Sequence, residues 1–120
     1  REDYIERKLS RWGVKELVIR ITWDIFALWE LKGEKRDECE SVRNFILRVE
    51  NKRLSTFPTE FFRFIERALY APEGTPVVRD DESLRTLLDF YRDEEVNARK
   101  SVDRWRWVFG RWLTSKRQPF

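Results

Sequence analysis

Apolar positions recur at steps of three and four along most of this chain, the spacing that aligns side chains on one face of an α-helix. Tyr4, Ile5, Leu9 and Trp12 predict a short first helix, with Asp3 as its cap and Gly13 weakening or bending it. From Val14 the pattern restarts out of phase and has two apolar sides. Val14, Val18, Ile21, Ile25 and Leu28 form one, and Ile19, Trp23 and Phe26 form another roughly opposite, leaving only Glu16, Arg20 and Asp24 as a polar wedge. Such a helix is either central in its domain, the preferred reading, or shared with another chain through Ile19, Trp23 and Phe26 as a second interface.

Gly33 ends that helix, and the charged patch at 34–40 is expected to begin the next. Its seam is Cys39, Val42, Phe45, Ile46 and Val49, with Leu54 covering the end. Thr56 and Pro58 then mark a helix start, followed by Phe57, Phe61, Phe64, Ile65, Ala68 and Leu69, a face that Phe62 widens. Proline and glycine at Pro72, Gly74 and Pro76 predict a loop over 71–81, with Asp80 and Asp81 ready to cap the next helix.

Residues 81–116 contain no proline and one glycine, Gly110, so a single long helix is expected. Leu84, Leu88, Tyr91, Glu95, Ala98, Val102, Trp105, Phe109 and Trp112 make its inward seam, while Lys100, Arg104, Trp107 and Arg111 make an outward stripe. Unbroken over 82–115, that helix spans about 50 Å. If it breaks, the acidic patch Asp93, Glu94, Glu95 is the expected place. The fold expected is all-α: an antiparallel helical bundle of four main helices plus a short N-terminal helix, with a long C-terminal helix. One domain covers residues 1–120.

Composition supports a packed domain, because 18 aromatic residues offset a modest 41% hydrophobic share and 39% charge. The net charge is only +3, but residues 96–120 hold seven cations against one anion, Asp103, so the basic character is local. A lone Cys39 excludes an internal disulfide and reads as a reduced core thiol, which points to an intracellular protein. No apolar run is long enough for a transmembrane span, and no signal peptide is visible. The chain lacks methionine even at position 1 and reads as a fragment of a longer one.

Zero histidine removes the commonest general base and metal ligand, and there is no cysteine pair, P-loop or dinucleotide fingerprint. The chain is therefore read as no enzyme, with no cofactor and no metal site. The minor alternative is a Mg-dependent all-α nucleotide hydrolase, for which Glu30, Glu34 and Asp37 are the only suggestive carboxylates.

What remains is binding. Trp12, Trp29, Trp105 and Trp112 lie on inward seams and read as core, whereas Trp107 lies among cations. The expected contact surface is Arg99, Lys100, Arg104, Arg106, Trp107 and Arg111, docking a protein partner or a second copy in a homo-oligomer, since Trp and Arg dominate binding hot spots. The alternative is nucleic-acid binding, DNA or RNA, by the same stripe, with arginines on phosphates and the indole on a base. A membrane surface is the weaker reading, because the apolar side of this helix is needed by the core.

Overall fold

A computed structural model describes residues 2–52, 62–72, 74 and 80–116, with side chains described except at 2, 3, 62 and 112–116. The fold is all-α, and the described residues form five helices: α1 (Glu2–Leu31), α2 (Val42–Asn51), α3 (Phe62–Tyr70), α4 (Asp81–Ser101) and α5 (Arg104–Lys116). The expected helix start at Thr56 and Pro58, together with Phe57, Phe61 and Leu54, lies outside the described residues. So do the side chains of Phe62 and Trp112 and most of the 71–81 loop.

Gly13 divides α1 in two. Its φ of 80° and ψ of 171° are non-helical and suit a residue with no β-carbon, so a short first segment is followed by a long one, as the restart in the pattern predicts. α1 as a whole packs against α3, α4 and α5, and its long segment carries most of its buried residues. Val18, Ile21, Ile25 and Leu28 are buried along one side, and Ile65, Ala68, Leu84, Leu87 and Leu88 belong to the same buried set.

The other side of α1 is also filled from within the chain. Phe26 is buried, with its ring centroid 4.9 Å from that of Phe45 on α2 and 5.6 Å from that of Trp29. Trp23 packs edge-on to Phe26, and the Arg36 guanidinium lies 4.9 Å from its ring centre. The three residues of the expected second interface are thus divided by the fold. Phe26 is core, and Ile19 and Trp23 are half-buried. The physical reason is aromatic volume: burying rings of this size contributes about 1.5–3 kcal/mol each, so α2 closes over them.

The charged patch does not begin α2. Ser41 caps the helix by accepting from the Asn44 amide at 3.1 Å, and residues 34–40 form a connector clamped by Arg48. Arg48 reaches Glu34 at 3.0 Å, both oxygens of Glu40 at 2.8 and 2.9 Å, and the Lys35 carbonyl at 2.8 Å. This pairing holds the Glu40 carboxyl below the usual carboxylate range. Cys39 sits before the cap, in a turn, and is exposed rather than a core thiol. Val42, Phe45, Ile46 and Val49 are buried as their spacing predicts.

Candidate docking surface on the C-terminal helix

Asp80 starts α4, accepting from the amide and hydroxyl of Ser83 at 3.1 and 2.8 Å, which depresses its pKa. The helix runs through Asp93, Glu94 and Glu95 without a break. Glu94, instead of repelling the core, is buried in it: its Oε2 accepts from Trp29 Nε1 at 3.1 Å and lies 3.7 Å from Lys32 Nζ. A buried carboxylate needs such partners.

The break comes later. Val102 is extended, at φ −116° and ψ 154°, and Asp103 caps a new helix by accepting from the Arg106 amide at 2.8 Å while its carbonyl accepts from Trp107 N–H at 2.9 Å. The long C-terminal helix is thus two helices. The interruption also resets the helical phase. Leu84, Leu88 and Ala98 are buried and Tyr91, Glu95 and Val102 half-buried on the seam, but beyond Val102 the seam no longer points inward.

On α5 the two faces are exchanged relative to expectation. Trp107 is half-buried against the cluster of Leu28, Leu31 and Ala98, with Tyr91 and Val102 beside it. Gly110 lies on the same side: a β-carbon there would overlap Leu31 Cδ2 and lie 3.3 Å from its Cγ, so the missing side chain is what lets α5 approach α1. Arg111 completes the attachment. Its Nη2 donates to the Tyr91 hydroxyl at 3.1 Å and lies 3.7 Å from Glu95 Oε2, and its guanidinium carbon is 5.6 Å from the Trp107 ring centre.

That junction perturbs two titrating groups. Tyr91 is pushed up to about 12, first by burial and then by donating its proton to Glu95 at 2.8 Å. Asp24 of α1 still reaches solvent, yet the protein crowded around it removes enough water to raise its pKa, despite the opposing attraction of Arg111 and Arg20.

The outer face of α5 holds what sequence reasoning placed in the core. Trp105 and Phe109 of the expected seam are 81% and 59% exposed, and Val108, which the seam did not include, is 56% exposed beside them. At 100° per residue Trp107 lies about 200° from Trp105, so a helix that docks one must expose the other. Arg99, Lys100, Arg104 and Arg106 are exposed as expected, while Trp107 and Arg111 are half-buried and belong to the protomer's own packing. Two features of the letters bear on this without deciding it: Asp103 as a capping residue, and Gly110 on the side of Trp107.

Elsewhere a second aromatic and cationic group forms on α1, where Lys8, Arg11 and Arg20 lie 4.7, 5.0 and 4.4 Å from the Trp12 ring centre. Trp12 is half-buried against the core. Among the described residues no three carboxylate or cysteine side chains are grouped to hold a metal ion, and no helix is long and apolar enough to cross a membrane. Glu34, which the spacing groups with Glu30 and Asp37, follows the positive-φ Gly33 and is engaged by Arg48 and Lys52. No protein-family model, curated protein or solved structure matches the chain.

Proposed function

We propose that this chain is a non-enzymatic helical interaction module that docks onto a protein partner, or onto another copy of itself, through the outer face of α5. The observation that supports this reading is the joint exposure of Trp105, Val108 and Phe109 on one face of a helix whose opposite face is committed to α1 and α4. Single exposed apolar side chains are ordinary, and a contiguous set is not. Together these three present on the order of 400 Å² of apolar surface, about half of what one partner contributes to a standard interface. Their i, i+3, i+4 spacing is that of a helix laid into a groove. An intracellular setting belongs to the same proposal.

Nucleic-acid binding is the second reading, favoured by the four exposed cations around an exposed indole, which can neutralise phosphates and stack on a base. Sedimentation equilibrium and affinity capture, each run with the wild type and with Trp105→Glu, test the first reading. A dimer, or a captured protein, present with the wild type and lost with a variant of unchanged circular dichroism is the expected result. A monomer whose captured set ignores the substitution refutes it. Binding of nucleic acid with a log–log salt slope of about −0.9 per neutralised phosphate replaces it by the second.

A further inference from the structure

We infer that the surface receiving α5 is an apolar groove on a protein, rimmed by carboxylates. This rests on the docking reading above and adds the chemistry of the other side. Many cations of the described chain are neutralised in place: Arg20 by Glu16 at 3.0 Å, Arg48 by Glu34 and Glu40 at 3.0 and 2.8 Å, Lys52 by Glu34 at 3.1 Å. Others are not, among them Lys35, Arg63 and Arg67, and also Arg99, Lys100, Arg104 and Arg106, which lie within eight residues of one another in the chain. These last four are all exposed, and none forms an ion pair with a described carboxylate. The one anion among them, Asp103, is turned to the Arg106 amide as a helix cap.

Their placement matches a groove. At 100° per residue, Arg104 and Arg106 fall about 100° to either side of the stripe formed by Trp105, Val108 and Phe109. A groove that accepts the stripe brings one lip against each guanidinium, and a carboxylate is the group that pairs with that fork in bidentate fashion. Arg99 and Lys100 lie in the last turn of α4, which ends three residues before α5 begins, and add two exposed cations to this part of the chain.

Other occupants fit less of this surface. A second copy docked α5 to α5 sets the cations of one against those of the other. A nucleic-acid strand takes the cations and stacks on Trp105 but leaves Val108 and Phe109 in water. A bilayer binds in proportion to buried apolar area, and three side chains within about 6 Å of helix rise supply little. A groove concentrates the contact on one indole, the usual form of a binding hot spot.

The test uses a designed two-helix hairpin whose groove is lined with Leu and rimmed with Glu, and a twin with Lys at every rim position. Each is labelled and titrated with the full chain at near-physiological salt, and binding is read by fluorescence anisotropy. The Glu-rimmed hairpin should bind at least about tenfold tighter than its twin. Trp105→Ala should weaken that binding by about tenfold or more, and Lys100→Glu combined with Arg104→Glu should turn the preference toward the Lys-rimmed twin. Equal affinity for the two hairpins overturns the carboxylate rim and leaves the docking reading standing, since that reading is judged on dependence on Trp105. Binding to neither hairpin also overturns the inference. So does tighter, Trp105-dependent binding to single-stranded DNA or to phosphatidylserine vesicles.

Discussion

Replacing Gly110 by Ala adds one methyl group at a point where α5 lies close to α1. On helix propensity alone the change should stabilise the protein by about 1 kcal/mol, because Gly110 is inside a helix. The contact opposes this: the methyl would overlap Leu31 Cδ2, and Leu31 is only 7% exposed beside Leu28 and Ala98, with little room to turn away. Overpacking of this kind costs about 1–3 kcal/mol, so the expected net effect is a loss of about 1 kcal/mol. Leu31→Ala by itself should cost about 2–3 kcal/mol, the low end for a buried leucine, since it lies at the end of its helix. In the double variant the new methyl occupies part of the space vacated by the leucine, so the combined cost should fall short of the sum by about 1 kcal/mol.

Urea unfolding followed by far-ultraviolet circular dichroism measures these differences, and a loss of about 1 kcal/mol moves the midpoint by about 0.3–1 M. Hydrogen exchange over residues 104–116 reports whether α5 opens by itself. Two results refute the reasoning: a Gly110→Ala protein more stable than the wild type by the full propensity amount, or strict additivity with Leu31→Ala. Either would mean that the close approach of α5 to Leu31 is not what holds the helix.

The two neighbouring indoles should separate stability from binding. Trp107→Ala is expected to cost about 2 kcal/mol in chemical denaturation, whereas Trp105→Ala should fall within about 0.5 kcal/mol of the wild type. Glu94→Ala leaves Lys32 and the Trp29 N–H without their buried acceptor and should cost about 3 kcal/mol or more, while Glu94→Gln, which can still accept from Trp29, should recover part of that in the same assay. In an absorbance titration Tyr91 should ionise near pH 12 rather than near the ordinary value of about 10, a step missing from Tyr91→Phe. Its raised folded pKa means the neutral phenol supports the fold fully below pH of about 10, and that support is lost as pH rises through about 12.

Local periodicity is most informative where a helix is continuous and one face is plainly apolar. Val18, Ile21, Ile25 and Leu28 on α1, and Phe45, Ile46 and Val49 on α2, are buried as their spacing requires. It fails where a cap or a neighbour intervenes. Spacing puts Cys39 on a helical face that begins only after Ser41, and it leaves two possible covers for Phe26, its own chain or another, because nothing in α1 itself announces that Phe45 will pack on it. Glu94 shows the converse, since a carboxylate of the acidic patch where a break is expected becomes a buried acceptor once Trp29 and Lys32 are beside it.

The C-terminal third separates the two kinds of information. The amino-acid order alone determines that residues 104–116 have one face with Trp105, Val108 and Phe109 and another with Trp107, Gly110 and Arg111, because side-chain directions follow from the helical repeat. It does not determine which face turns inward. That depends on the phase reset at Val102 and Asp103, on the notch that Gly110 offers to Leu31, and on the Tyr91 and Glu95 acceptors that wait for Arg111. Helical phase is a local property, whereas the choice between two apolar faces is made by residues many positions away in the chain, and only the folded arrangement brings them to bear.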